Sequence, residues 1–504
     1  MAFSKQKREI LRRKIQSFWL DFSHNRVGFA GLVIILAFIV VAVIAPALTP
    51  YRPVSQLERQ PTLAGRYAAP SWFTIFPQFS NFTTTIHYPL NMSKATVVDY
   101  SGEVEVNTEN LNINFTSTGT GAQNASVTLD FGLVNYMHQT PPGFRMLVSY
   151  AFYFNRTGLN TYFIIKNTTA KPEWEQYFKY HDAAEMQIGY YMPPPDEFVK
   201  SSSVFNNLKR DSFTEMVVMS LYDFSKFTGA PPDPEPLVFP GPGVYGVQVK
   251  FEFFTRSPHT EAHAELYMED AGLTMWGGVH GVLGTNFAGN DVWTELVYGT
   301  RVSLMVGVLA ALAATTLGIL YGVVSGYIGG FVDEFLMRVV DVLLCIPVLP
   351  ILLVLMRYFR PNVYFVVVLI AIFGWQGLSR VIRSRVLSLK EMAFIESARA
   401  SGASDSYLIT RHLIPNVLPI AMSAMVLAVP GAIITEASLS FLGFGDPNAA
   451  TWGRMLYQAY QLGGLRSWWV WLPAGFVITL ICIGFVFIGH AIDEIINPRL
   501  RRRR

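Results

Sequence analysis

A helical, multi-pass membrane protein carrying a β-rich insert is the fold class this sequence predicts, on three observations. Of its 504 residues, 51% are hydrophobic and only 15% charged, with a mean hydropathy of +0.31, whereas soluble chains carry about 25% charge. The apolar residues gather into runs of roughly 18 to 24, long enough to cross a bilayer. One run lies in the first 50 residues and the others follow Val302. Between them, about 220 residues alternate polar with apolar, the two-residue period of a strand.

The first span reads Val27 to Leu48. Lys5, Lys7, Arg8, Arg12, Arg13, Lys14 and Arg26 precede it, and such a basic excess places residues 1–26 in the cytoplasm. Ala45-Pro46-Ala47 would also suit a cleaved leader, but the apolar run exceeds the roughly 7 to 15 residues such leaders use. After Pro46, Pro50 and Pro53 the character changes, and residues 51–275 are expected to form an extracellular β-rich domain. Its strand candidates are Glu103 to Val106, Leu111 to Phe115, Ala125 to Phe131, Arg145 to Phe154, Thr161 to Lys166 and Val244 to Phe254. Gly, Pro and Asn turns separate them, including Pro141-Pro142-Gly143 and the stretch from Pro231 to Pro242.

All six Asn-x-Ser/Thr sequons, at Asn81, Asn91, Asn114, Asn124, Asn155 and Asn167, fall in this insert. They are either potential N-glycosylation sites on an exposed face or simply the mark of an Asn- and Thr-rich β domain. The two cysteines, Cys345 and Cys482, lie in apolar runs, so the insert has no disulfide and must be held by its own core. Sequons without disulfides would fit an archaeal surface.

Beyond residue 276 five further spans are expected, near Val302 to Gly326, Phe335 to Met356, Asn362 to Leu378, Val417 to Leu439 and Trp469 to His490. With the first they make six, which returns the C-terminus, with Arg499 and Arg501 to Arg504, to the cytoplasm. The loop 380–416, with Arg380, Arg383, Arg385, Lys390, Arg399 and Arg411, is internal by the same count. Trp468, Trp469 and Trp471 then sit at the outer interface. A net charge of +3 is too small and dispersed for a nucleic-acid surface.

No lysine follows a glycine anywhere, so a G-x-x-x-x-G-K-[ST] phosphate loop is impossible, and no His/Cys metal cluster or nucleophile elbow stands out. Any ATP used must be bound by a partner. The internal segment from Glu391 to Asn416 reads as two short helices broken at Gly402. Met392, Ile395 and Ala398 share a face of the first. Ser404 can cap the second, Asp405 complements its dipole and Pro415 ends it. The result is a compact knob on a cytoplasmic loop.

Glu396-Ser-Ala398, Gly402 and Arg411-His-Leu-Ile-Pro415-Asn416 resemble the coupling loop of ABC importer permeases. Further segments resemble the dipeptide/oligopeptide permease family: Phe18-Trp19, Asn25-Arg26, Gly299-Thr-Arg301-Val-Ser-Leu304, Gly326-Tyr-Ile-Gly-Gly330, Asp333-Glu-Phe-Leu-Met-Arg338, Glu436-Ala-Ser-Leu-Ser-Phe-Leu-Gly443 and Trp452-Gly453. The resemblance implies the six-helix type I importer fold over residues 276–504 and the first span. It also implies a non-enzymatic subunit that pairs with a second permease. Two ATPases holding ATP and Mg would dock on Glu396, Ala398, Gly402 and Pro415, and an external binding protein would deliver peptides or oligosaccharides. The chain itself would hold no cofactor.

Two features depart from the family pattern. The large insert replaces a short connection, and Gly-Thr-Asp…Gly-Arg-Asp becomes Gly284-Thr285-Asn286…Gly289-Asn290-Asp291, amides in place of an acid and a base. Glu436, late in the fifth span, must face protein or water, because an uncompensated charge at mid-bilayer costs about 2.5 to 3.5 kcal/mol. It is a candidate for the translocation path or for a structural hydrogen bond to a helix end. Asp341 and Arg338, three apart, are expected to pair. The competing reading is a membrane-anchored receptor or adhesin with a functional external domain, for which the internal knob would have no use. The insert's own roles stay open among docking collar, lid and shield.

Overall fold

The computed structural model describes residues 16, 19–53, 62–90, 95–101, 104–107, 112–117, 124–155, 157–167, 185–192, 239, 241–255, 261–359 and 362–496. The basic cluster Lys5 to Lys14, Phe18, Asn91, nearly all of Pro231 to Pro242, and Arg499 to Arg504 lie outside them. The chain divides into two compact units, Thr62–Gly289 and the remainder, Met1–Pro61 with Asn290–Arg504.

Among the described residues the β unit contains ten strands: β1 (Ile86–Pro89), β2 (Thr96–Ser101), β3 (Val104–Asn107), β4 (Asn112–Ser117), β5 (Asn124–Tyr136), β6 (Phe144–Asn155), β7 (Thr157–Asn167), β8 (Glu185–Met192), β9 (Gly243–Thr255) and β10 (Ala262–Met275). They form two antiparallel sheets. One follows the order β2-β5-β9-β7-β8, while in the other β10 pairs with β1, β4 and β6, and β4 pairs with β3. Alternation puts Val247, Val249, Phe251 and Phe253 of β9 inward together with Val127 and Leu129 of β5, all fully buried. Ile113 and Phe115 of β4 and Leu266 of β10 close the core from the other sheet. Phe115 and Phe253 stack across it at 5.5 Å, so the two sheets pack face to face, as in a sandwich. The tyrosines end in the same core: Tyr136 donates to the Gln139 carbonyl at 2.8 Å and Tyr245 to the Gly241 carbonyl at 2.7 Å. Burial pushes the Tyr136 phenol well above its ordinary value and that of Tyr245 up to about 12.

The unit's edges differ from the expected 51–275. Residues 276–289 belong to it because their backbone bonds the segment that opens it: Gly65 N–H to the Gly277 carbonyl (3.0 Å), Ala69 to Gly278 (2.8 Å), Tyr67 to Asn286 (3.0 Å) and Leu63 to Gly289 (3.1 Å).

The second unit is helical: α1 (Arg26–Leu48), α2 (Val292–Ile328), α3 (Gly330–Cys345), α4 (Val348–Tyr358), α5 (Val363–Gly374), α6 (Gln376–Lys390), α7 (Ala393–Ala400), α8 (Asp405–Leu408), α9 (Ile414–Phe441), α10 (Trp452–Gln461) and α11 (Trp468–Ile496). Among the described residues four helices are long and apolar enough to cross a membrane. There are six spans if the bent pairs α3–α4 and α5–α6 count as one each. The expected single span Phe335 to Met356 is therefore bent by 81° at Ile346-Pro347, where proline disfavours the helical conformation of the residue before it. The expected loop 380–416 is largely helix. α6 runs to Lys390 because Ser379, Ile382, Val386 and Leu389 bury one stripe.

Proline also explains how α1 meets α2. Pro46 lies inside α1 and has no N–H to offer the carbonyl four residues earlier, at Ala42. The Arg301 guanidinium of α2 donates to that carbonyl instead, and to Val43 O at 3.0 Å. Trp293 Nε1 donates to Leu48 O at 3.2 Å, and the hydroxyls of Thr49 and Thr294 lie 2.5 Å apart. The C-terminus of α1 and the N-terminus of α2 are therefore level. At 37 residues and 1.5 Å per residue α2 is roughly 55 Å long, well over a hydrocarbon core of about 30 Å, so its surplus length projects from the opposite side.

Candidate functional site

The knob occupies that projecting end. Met392 N-caps α7, which closes in a Schellman turn: Gly402 N–H bonds the Arg399 carbonyl (3.0 Å) and Ala403 N–H the Ala398 carbonyl (3.1 Å). Gly402 sits at φ +84° with open space around it, so backbone conformation rather than crowding demands glycine. Ser404 caps α8, its Oγ accepting from Tyr407 N–H at 3.4 Å. Ile395, Leu408, Leu413 and Val417 are fully buried and pack with Val323 of α2 and Ile382, Val386 and Leu389 of α6. This core fixes the knob to three long helices.

Polar links fasten it further. Tyr327, near the end of α2, donates its hydroxyl to Asp405, and Lys390 Nζ donates to the Tyr327 carbonyl at 2.8 Å. Nearby, Asp333 of α3 is held by a bidentate Arg383 of α6 and by Ser325 of α2. α2 and α6 approach closely here, and a Cβ on Gly322 would meet the Ser379 carbonyl at 2.5 Å.

Two expectations about this region need correction. Pro415 does not end a helix. Ile409–Leu413 is a π turn in which Ile414 N–H reaches back to Ile409, and Pro415 lies in the first turn of α9, so the helix continues unbroken from Asp405 to Phe441. The wide turn accommodates a residue that lacks an N–H. Met392 is exposed rather than sharing the buried face of Ile395, because it precedes the helix. The expected pair of Arg338 and Asp341 is present on the surface at 4.0 Å, and Asp341 also bonds Arg380 of α6.

Glu396 is exposed and Ala398 half-buried. Sequence reasoning missed the aromatic surface beside them. Phe394 and Tyr407, 42% and 51% exposed, flank His412 at 6.0 and 5.6 Å. Its signal was available: large apolar residues at positions whose helical phase points away from Ile395 and Leu408.

A second cluster lies where α2, α9 and α10 meet. Glu436 is buried and Ser440 Oγ donates to its Oε1 at 2.7 Å. Thr451, which caps α10, donates to Ser440 at 3.4 Å. Trp452 is fully buried, its Nε1 donating to Leu296 O at 3.1 Å, and its ring lies where a Cβ on Gly299 would be. Gly453 lets Ala437 approach, a Cβ there falling 2.6 Å from the Ala437 backbone. Three segments far apart in sequence thus interlock through close approaches at glycine and the Trp452–Leu296 bond, while the chain Thr451–Ser440–Glu436 links α10 to α9. Among the described residues no group of three His, Cys, Asp or Glu could hold a metal ion.

Sequence comparison gives this architecture relatives. Residues 318–502 match the family described as binding-protein-dependent transport system inner membrane component, and residues 14–70 match the N-terminal TM domain of oligopeptide transport permease C. The dipeptide transport system permease protein DppC of Bacillus subtilis is 36% identical over 220 residues, 44% of this chain and 69% of that protein. The chain belongs to the dipeptide/oligopeptide family of ABC permeases. The oligopeptide transport system permease protein OppC of Escherichia coli K12 is 39% identical over 220 residues, 43% of this chain and 72% of that protein. Among solved structures, an inward-facing form of the MetNI methionine ABC transporter matches at 20% identity and a TM-score of 0.33, covering 40% of this chain and 94% of that one.

The two family matches leave residues 71–317 outside them. At the segment where this permease departs from the family pattern, Thr285 and Asn286 are fully buried. Thr285 Oγ1 donates to Gly65 O at 2.6 Å and accepts from Ala68 N–H at 2.8 Å, and Asn286 Oδ1 accepts from Ala288 N–H at 2.9 Å. Asp291 caps α2, accepting from Thr294 N–H at 2.8 Å. Of the sequons, Asn81 is at an exposed turn, Asn114 and Asn124 lie on β4 and β5, and Asn155 and Asn167 end β6 and β7.

Proposed function

We propose that this permease forms, with a second homologous permease, the translocation path of a type I importer for short peptides, oligosaccharides being the other substrate class. ATP and Mg are bound by two partner ATPases, and this chain holds no cofactor. The termini face the cytoplasm. The β unit is extracellular, where its sequons are potential glycosylation sites and a substrate-binding protein docks.

The observation that carries the reading is the knob: a rigid helix–turn–helix with an exposed Glu396 and an exposed Phe394–His412–Tyr407 surface. It is rooted by a buried apolar core and by the Tyr327–Asp405 link in the projecting end of α2. Closure of the ATPases moves the knob, and the knob moves α2, α6 and α9 with it, biasing a two-state equilibrium between inward- and outward-open forms. Glu436 then serves, through Ser440 and Thr451, in the hydrogen-bonded joint of α9 and α10, a polar group placed where those helices must move together.

Purification of the tagged chain from its native membrane, with mass spectrometry of what accompanies it, tests the assignment. A second permease and ATPases are expected, and the ATPases are lost when Gly402→Pro destroys the turn. Tyr327→Phe keeps the ATPases but lowers transport per ATP hydrolysed about fivefold, in line with one hydrogen bond of about 1 kcal/mol. Recovery of the chain alone from membranes that contain such ATPases contradicts the reading.

A further inference from the structure

The β unit carries an apolar surface that its own core does not use. Ser71–Ile75 and Pro77–Phe79 are short 3₁₀ turns. They bury Phe73, on which Trp72 (4.6 Å), Phe76 (6.1 Å) and Phe79 (5.1 Å) pack. The same turns present Ile75 (80% exposed), Trp72 and Phe76 outward. Trp72 Nε1 donates to Val282 O at 2.9 Å, which joins these turns to the exposed Val282. Two stretches of chain therefore make one patch.

We propose that this patch, Trp72, Ile75, Phe76 and Val282, seats in the interfacial layer of the lipid bilayer as a monotopic anchor. Three observations favour lipid over a protein partner. The first is charge. The 27 residues from Tyr67 to Ser93 and the 20 from Ala271 to Asn290 contain no Asp, Glu, Lys or Arg, in a chain where 15% of residues are charged. At that frequency about seven would be expected, and the polar rim of a protein interface would call for them.

The second is reach. Val282 is ten residues from Val292, where α2 begins. The Trp293–Leu48 and Thr49–Thr294 contacts mark that start as level with the end of the first span. Ten residues extend at most about 35 Å, and turns closed by Gly284 N–H to His280 O (3.0 Å) and Gly289 N–H to Asn286 O (3.1 Å) shorten the connection. The third is residue type. Tryptophan with its N–H satisfied, beside Phe and Ile, is the composition that partitions to the headgroup boundary. Without basic residues the attachment rests on apolar burial alone, so it does not need anionic lipid.

The test uses the whole assembled transporter in nanodiscs. In a Cys345→Ser, Cys482→Ser background, an environment-sensitive fluorophore is placed at Ile75→Cys or Phe76→Cys, and as a control at Val98→Cys, an exposed position on β2. Both patch labels are expected to emit to the blue of the control. Lipids carrying a nitroxide near the top of the acyl chain should quench them at least about twofold more, unchanged when phosphatidylcholine is partly replaced by an anionic lipid. Patch labels quenched no more than the control overturn the proposal, whether they report water or shielding by protein. A requirement for anionic lipid overturns its apolar basis.

Discussion

The two units of this chain are stabilised in opposite ways. In the β unit, identity hardly matters and pattern does: any large apolar residues at the inward positions of β4, β5, β9 and β10 would build a comparable core. In the permease unit, specific residues at specific places carry the structure. Gly299 and Gly453 admit a buried Trp452 and a close α9, Arg301 answers Pro46, and Asp333 joins three helices. In lipid, apolar burial does not drive helix against helix, so close packing and polar links take over. A sandwich in water has the hydrophobic effect to rely on. The family matches, residues 14–70 and 318–502, accordingly lie almost wholly in the helical unit.

Breaking the sandwich core should give the largest effect and should remain local. Phe253→Ala removes a fully buried ring and is expected to lower the β unit's stability by about 3 to 5 kcal/mol, measured by limited proteolysis against temperature. Co-purification of the ATPases should be unchanged, and a parallel loss of assembly would show that the units are not independent.

The polar links of the membrane unit should break more gently and in pairs. Arg301→Leu leaves the Ala42 carbonyl without a donor and is expected to cost about 1 to 3 kcal/mol in detergent thermal unfolding. Pro46→Ala restores the N–H, so in that background the same substitution should cost much less. Equal costs in both backgrounds would refute the handshake.

The mildest contrast is with alkali. Tyr136 and Tyr245 have raised pKa values in the folded β unit, so folding favours their neutral form. Their contribution is complete below the unfolded value near 10 and declines as pH rises toward and beyond about 12. Unfolding of the β unit should therefore become easier above about pH 10, and Tyr245→Phe should flatten that dependence.

Much of the membrane unit was legible in the sequence, because span length, proline and the knob's glycine and caps are local signals. What escaped was register between distant segments. Nothing local tells that Arg380 of another helix will join Arg338 at Asp341, or that helix will run through Pro415. In the β unit six strands were visible from alternation, yet β10, the strand that joins one sheet together, was not proposed. Its Ala262, Ala264, Leu266 and Met268 alternate inward, but Ala is a weak apolar signal and a bulge between Met268 and Asp270 breaks the period. The junction at Glu436 was readable only as a burial cost, since Thr451, which reaches it through Ser440, caps a helix beyond the span.

The Pro46–Arg301 pairing also sets a clock. The two residues are 255 positions apart, and a ribosome adding about 5 to 20 residues per second takes roughly 10 to 50 seconds to cover them. For that interval the first helix waits in the membrane with one carbonyl lacking its donor, while the whole sandwich emerges and folds. Any factor that shields α1 during this pause would be needed in proportion to the length of the insert, so lengthening the insert would delay maturation of the permease without altering a contact in the finished protein.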